Sequence, residues 1–241
     1  ILSLVGNNAI IMDSDADLDA AVGGVISSAF GYQGQKCSAC TRLIVLEENY
    51  DKVVDKVRAA ADSLDMGPVD DPRNGFGAVI DEEVKSRVEE AVALGREEGT
   101  LVLEKRSAQQ TGHVAPLAIF KDIRPEHRLA REEVFGPVLA IMRARDFDQA
   151  LEMANDSPYA LTGGLYSRHP GNIEKACKSF KVGNLYINRG ITGALVGRHP
   201  FGGFRLSGDG SKAGGPDYLT EFMVCRTVTE NTFRSGFAPM E

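Results

Sequence analysis

Residues 9–30 read A-I-I-M-D-S-D-A-D-L-D-A-A-V-G-G-V-I-S-S-A-F. The first four form a short apolar run, which fits a strand buried on both faces. The aspartates that follow are good helix N-caps. Leu18, Val22, Val25, Ile26 and Phe30 then recur at helical spacing. A buried strand feeding a capped helix is the repeating unit of a parallel α/β sheet. D-S-D-A-D also resembles the start of a calcium loop. Such a loop needs glycine at its sixth position and glutamate at its twelfth; this chain has Leu18 and Gly24 there. Helix capping is the better account.

Working outward, the alternation continues. R-L-I-V-L-E at 42–47 reads as a buried strand, and Asn49 is placed to cap a helix whose apolar face carries Val53, Val54 and Val57. A Gly/Pro/Asp-rich loop covers 67–77, and 81–98 predicts an acidic helix stopped by Gly99. Strand-like pieces fall at 101–103, 116–120, 138–142, 161–167 and 183–188, with helices near 146–155 and 171–180. The pattern predicts an α/β fold with a mainly parallel sheet flanked by helices. Residues 189–217 hold nine glycines and read as one long irregular loop, a length that in compact domains usually serves function. V-C-R-T-V-T at 224–229 has strand-like alternation. Isolated at the end of the chain, it suits an arm that pairs with another subunit's sheet edge.

Composition narrows the function classes. The 241 residues are 43% hydrophobic and 25% charged, with a net charge of −7, as in an ordinary globular protein. The basic residues are scattered, which argues against nucleic acid as a partner. No apolar run approaches the roughly 20 residues that span a bilayer, and no leader pattern opens the chain. Four cysteines are too few and too spread for a disulfide scaffold. A reducing compartment is expected, cytoplasmic or, in a eukaryote, the mitochondrial matrix.

The cysteine segment Q-G-Q-K-C-S-A-C spans 33–40. Structural zinc needs four ligands, usually as two paired clusters. Cys37 and Cys40 supply one pair, but His113, His127, His169 and His199 are isolated, and so are Cys177 and Cys225; no metal is expected. A redox C-x-x-C opens a helix after a strand, whereas this one follows a helix and precedes a strand. A single nucleophilic thiol is the third possibility: Lys36 adjoins Cys37, and Gly34, Ser38 and Ala39 leave room for a carbonyl. On spacing alone a buried, inert cysteine remains the simpler account. No G-x-G-x-x-G follows a strand and no G-x-x-x-x-G-K occurs, so the chain carries no nucleotide-binding fingerprint of its own.

The segment resembles the nucleophile region of the aldehyde dehydrogenases, most closely the Δ1-pyrroline-5-carboxylate (L-glutamate γ-semialdehyde) dehydrogenase branch. Further segments agree in order: N-A-I-I-M-D-S-D-A-D-L-D-A-A-V from residue 8, E-E-V-F-G-P-V-L at 132–139, and A-N-D-S-P-Y-A-L-T-G-G-L-Y-S at 154–167. G-N-L-Y-I-N-R-G-I-T-G-A-L-V-G-R-H-P-F-G-G-F-R-L-S-G at 183–208 and K-A-G-G-P-D-Y-L after it complete the match. The resemblance runs essentially the whole chain and covers the later half of that family's polypeptide. It implies a catalytic thiol domain over 1–221 and an oligomerisation strand and tail over 222–241. The N-terminal NAD-binding domain is expected to be absent.

The resemblance also implies a mechanism. Cys37 would attack an aldehyde to give a thiohemiacetal, hydride would pass to NAD, and water would release the acid from a thioester. The Cys37 N–H would help hold the oxyanion. Glu133 and Phe135 match the residues that hold the nicotinamide riboside. Ser38, Gly193 and Ala194 would bind the substrate's α-carboxylate, with Phe201 on its aliphatic part. Cys40 is then a bystander, and Cys177 and Cys225 are expected in the core or in strands. The implied function is oxidation of L-glutamate γ-semialdehyde to glutamate in proline degradation. The NAD site would be incomplete, so the isolated chain is expected to be inactive. The implied partners are a small-molecule aldehyde, further copies of the chain, and a chain or segment carrying the NAD-binding domain.

One departure stands out. The family's general base is a glutamate in a segment like E-[LT]-G-G-K-N-A, 34 residues before the cysteine; here S-L-V-G-N-N-A puts Ser3 at that position, with Val5 and Asn7 also changed. A hydroxyl cannot take a proton from water near neutral pH, and losing a general base costs on the order of 10²–10⁴-fold. Impaired thioester hydrolysis is therefore expected. Two alternatives compete with the lead reading: a non-catalytic assembly or regulatory module, and an aldehyde dehydrogenase of other specificity.

Overall fold

The structure is a computed structural model that describes residues 5–107, 112–233 and 236. Ser3, at the general-base position, lies outside the described residues. In chain order the elements are β1 (Asn8–Met12), α1 (Leu18–Phe30), β2 (Cys40–Leu46), α2 (Tyr50–Asp62), α3 (Glu82–Glu98), β3 (Thr100–Lys105) and β4 (Leu117–Lys121). They continue with α4 (Arg128–Arg131), β5 (Val138–Ala144), α5 (Phe147–Asn155), β6 (Tyr159–Ala160), β7 (Thr162–Tyr166), α6 (Pro170–Ser179), β8 (Asn184–Ile187) and β9 (Phe204–Arg205).

Seven strands form one sheet in the order β3-β4-β5-β2-β1-β7-β8; only β3 runs antiparallel to its neighbour. This is the mainly parallel α/β sheet that the alternation predicts. Strand periodicity sends alternate side chains to opposite faces, and each face has its own apolar core. Ile10, Met12, Leu43 and Val45 pack with α1 and α2 on one side. Ala9, Ile11, Ile44 and Leu46 pack with α3, α5 and α6 on the other. Every residue of β1 is buried, which is why A-I-I-M is apolar without alternation.

The aspartates after β1 act as hydrogen-bond acceptors for the chain itself. Asp17 caps α1, accepting from the Ala20 N–H at 3.2 Å. The Asp13 carboxylate accepts from Ser167 Oγ at 2.7 Å and Asn172 Nδ2 at 2.8 Å, and Asp15 from the Arg168 N–H at 2.9 Å. These bonds fasten the exit of β1 to the exit of β7.

Two expectations change. Asn49 does not cap α2: it lies in a 3₁₀ turn without the extended backbone a cap needs, and its Nδ2 donates to Ser14 O instead. Cys177 and Cys225 are exposed rather than in core or strand. α6 turns Cys177 outward, and the 224–229 segment forms no strand within the single chain. A strand needs a partner edge, and none of the described residues provides one to this segment. Among the described residues no helix is long and apolar enough to cross a membrane.

Ile10 is fully buried at the centre of the sheet. Ile10→Ala removes methylenes from a packed core, and we expect a loss of about 2–5 kcal/mol, seen as a lower urea midpoint with unchanged slope.

Candidate active site

α1 ends at Gly31, and the chain reverses through Tyr32, Gln33 and Gly34, all with positive φ. Gly34 is required here: a Cβ would lie 2.4 Å from Gly136 O. The turn delivers Lys36–Ala39, a β-turn closed by the Ala39 N–H donating to Lys36 O at 2.9 Å. Cys37 and Ser38 occupy its tip. β2 begins immediately afterwards, at Cys40.

Strand geometry then separates the two cysteines. Cys37 is partly exposed in a cleft of about 500 Å³ lined by Gln35, Lys36, Cys37, Ser38, Phe135, Ala194 and Phe201. Cys40 faces inward, 1% exposed, and burial pushes its thiol up to about 12. Its sulfur donates to Arg42 O. The C-x-x-C is therefore one cleft thiol and one core thiol.

The opposite wall comes from the segment before β5. Phe135 reaches the cleft from a positive-φ backbone, φ 54°. Glu133 is half-buried, and its Oε1 accepts the Gly6 N–H at 3.0 Å. Oε2 accepts no bond from the described residues. The third wall belongs to the glycine-rich loop after β8. That loop returns to the start of β8, where Asn184 donates to Pro200 O at 2.9 Å and accepts from the Gly202 N–H at 3.3 Å. This anchoring brings Phe201 and Ala194 over the cysteine. Gly193, with φ +81° and open space around it, adjoins Ala194 but is exposed and does not line the cleft. Of the seven residues singled out from the sequence, the fold gathers Cys37, Ser38, Phe135, Ala194 and Phe201 in one cleft. Glu133 stands close enough to act on the Cys37 sulfur through its charge.

The electrostatics of the thiol come from its burial and its nearest charge. Burial raises the Cys37 thiol above its ordinary value, and the Glu133 carboxylate raises it further; the N–H groups of Ser38 and Cys37 pull the other way without prevailing. Lys36 lines the cleft too. Glu133 is itself raised, chiefly by burial, against the Gly6 N–H and Arg87, which lower it.

Sequence reasoning missed residues at the head of β1. Asn8 donates from Nδ2 to both Cys37 O and Ala39 O at 2.8 Å. Asn7 Nδ2 donates to Ala130 O at 2.9 Å, beside the Glu133 segment. The available signal was two adjacent amides, unusual at the start of a strand buried throughout.

The sequence model of the aldehyde dehydrogenase family matches residues 1–228. The 1-pyrroline-5-carboxylate dehydrogenase of Geobacillus thermodenitrificans is 45% identical over 230 residues, covering 95% of this chain and 45% of that protein. The Bacillus subtilis protein of the same name is also 45% identical, over the same shares. Among solved structures, proline utilization A from Bdellovibrio bacteriovorus superposes with a TM-score of 0.93 at 51% identity, over 98% of this chain and 25% of that one. The 1-pyrroline-5-carboxylate dehydrogenase from Thermus with bound NAD gives 0.87 at 47% identity, over 90% and 42%. The chain spans less than half the length of the curated relatives it matches.

The sign of the Glu133 effect is testable. Its negative charge opposes the thiolate, so Glu133→Gln should lower the Cys37 thiol midpoint. Iodoacetamide labelling of Cys37 at pH 8, followed by peptide mass mapping, should speed up a few-fold while exposed Cys177 labels unchanged.

Proposed function

The chain belongs to the aldehyde dehydrogenase family, and on that premise we propose that it supplies the thiol-bearing part of an L-glutamate γ-semialdehyde dehydrogenase acting in proline degradation. The observation that carries this reading is the cleft: of four cysteines, Cys37 alone lines it, together with Ser38, Phe135, Ala194 and Phe201. Relatives 45% identical over 230 residues bear the name of that activity.

Each residue has a chemical task. The Cys37 sulfur adds to the aldehyde carbon, forming a C–S bond while the carbonyl π electrons move to oxygen. The thiol proton goes to water, because no base is placed on the sulfur among the described residues. The Cys37 N–H donates to the developing oxyanion, where such a donor contributes a few kcal/mol. Loss of hydride from the same carbon leaves a thioester on Cys37. Water cleaves that ester, returning the thiol and releasing the carboxylate. Ser38, Gly193 and Ala194 receive the α-carboxylate through hydroxyl and backbone N–H, and Phe201 covers the methylenes. With Ser3 at the general-base position, thioester hydrolysis is the slow step of this scheme.

NAD, when bound, supplies the hydride acceptor. The residues present fit it: Glu133 keeps Oε2 available for ribose hydroxyls, and the Phe135 ring borders the same cleft as Cys37. Free thiols of this kind fit a reducing compartment such as the cytoplasm or the mitochondrial matrix. Residues 222–241 we assign to assembly, as a strand and tail beyond the thiol domain at 1–221. Phe222, Met223, Val224 and Val228 are all exposed on a segment with no ladder of its own. A second copy's sheet edge would cover them.

Two measurements test the reading. Pyrroline-5-carboxylate at millimolar concentration should slow iodoacetamide labelling of Cys37 and leave Cys177 untouched, with propionaldehyde protecting far less. Absence of protection would remove the substrate assignment, and equal protection by both aldehydes would favour another specificity. Independently, removing residues 222–241 should lower the number of protomers per particle measured by light scattering; an unchanged number would remove the assembly role.

A further inference from the structure

We propose that Asn8 is a positioning residue for the nucleophile: its carboxamide fixes the peptide planes of Cys37–Ala39 so that the N–H groups at the turn's tip face the Cys37 sulfur. The inference rests on Cys37 being the nucleophile and goes beyond it, since Asn8 touches neither the cleft nor a substrate.

The geometry is specific. Asn8 is 2% exposed. Both Nδ2 hydrogens are used, one on Cys37 O and one on Ala39 O, each at 2.8 Å. Its Oδ1 accepts the Thr162 N–H from β7 at 3.0 Å. Both donors and one of the two acceptor positions of the amide are thus engaged with backbone, the donors on the cysteine turn. Thr162 Oγ1 adds a longer bond to Ser38 O at 3.4 Å. Gly6 lets the turn settle onto β1: a Cβ there would stand 2.4 Å from Cys37 O.

A trans peptide points its C=O and the following N–H in opposite directions. Holding Cys37 O against Asn8 therefore turns the Ser38 N–H away from β1, toward the cleft side. The N–H groups of Ser38 and Cys37 pull the Cys37 thiol down, against the burial and the Glu133 charge that disfavour its ionisation. Among the described residues, Glu133 is the charged side chain that moves the sulfur. Without the two amide donors, the carbonyls of Cys37 and Ala39 would lose these partners beside β1, and the turn's peptide planes would be held less firmly. A rotated plane presents a carbonyl oxygen to the sulfur in place of an N–H.

The experiment reads the sulfur's titration directly. Iodoacetamide labelling of Cys37 is followed by peptide mass mapping from pH 7 to 11 in the 241-residue chain, with exposed Cys177 as the reference. In Asn8→Ala the midpoint of the pH–rate profile should rise, slowing labelling at pH 8 by about tenfold for each unit of rise. Cys177 should change less than about twofold. Asn8→Asp, equal in size and still able to accept from Thr162, should move the midpoint further, because an anionic oxygen then faces two carbonyls. A folded Asn8→Ala with an unmoved midpoint overturns the proposal; if that variant does not fold, an unmoved midpoint in Asn8→Asp overturns it. Loss of aldehyde protection in the unsubstituted chain would instead sink the functional reading and leave this titration result intact.

Discussion

Gly6, Asn7 and Asn8, at the head of β1, hold both walls of the cleft at once. The Gly6 N–H binds Glu133, Asn7 binds Ala130 O, and Asn8 binds the carbonyls on either side of Ser38. These contacts join segments roughly a hundred residues apart at the entry of the central strand. The strand itself is buried on both faces, so its entry is as rigid as the sheet. That rigidity is what sets the sulfur of Cys37 relative to Glu133 and Phe135.

Beneath this head lies a buried cation. Arg42, 2% exposed, donates to Asn7 O at 2.9 Å, Met153 O at 3.1 Å and Ala154 O at 3.2 Å. Two of these carbonyls belong to the last turn of α5, where the helix dipole leaves partial negative charge. Among the described residues no carboxylate pairs with it directly. Burial pulls the guanidinium down to about 10, and Nε has no partner among the described residues. The cation therefore depends on backbone carbonyls for solvation, and it ties α5 to the strand head that carries Asn7 and Asn8. A buried charge held this way stabilises little in net terms but is costly to leave unpartnered.

The thiol's electrostatics follow from the same packing. Burial and Glu133 both favour the neutral form, and only local N–H groups favour the thiolate. Adjacency in sequence does not make the Lys36 ammonium face the sulfur, since residue i−1 in a β-turn does not have to face the side chain of residue i. The resting sulfur is a protonated thiol whose ionisation is sensitive to small changes in backbone orientation.

From the residues alone, the strand–helix alternation, the capping role of Asp17, the long glycine-rich loop and the family resemblance were all legible. Each depends on local chemistry: apolar period, side-chain acceptors near a helix start, and glycine's backbone freedom. The residues gathered in the cleft were legible too, though through resemblance rather than spacing. What was not legible required distant partners. The resemblance named Cys37 over Cys40, but why that thiol stays reachable depends on where β2 begins and which core it enters. Asn49 found Ser14 rather than a cap because α2 is preceded by a 3₁₀ turn packed on the β1 exit. Asn8 could be seen as an odd polar residue, but its role appears only when the turn at 36–39 and β7 close around it. The 224–229 segment has a strand's pattern and no strand, since a ladder needs a second edge. The sequence by itself determined the class of fold and the identity of the reactive residue types; the tertiary structure alone decided which thiol is reachable and what orients it, because those properties belong to contacts between segments that are far apart in the chain.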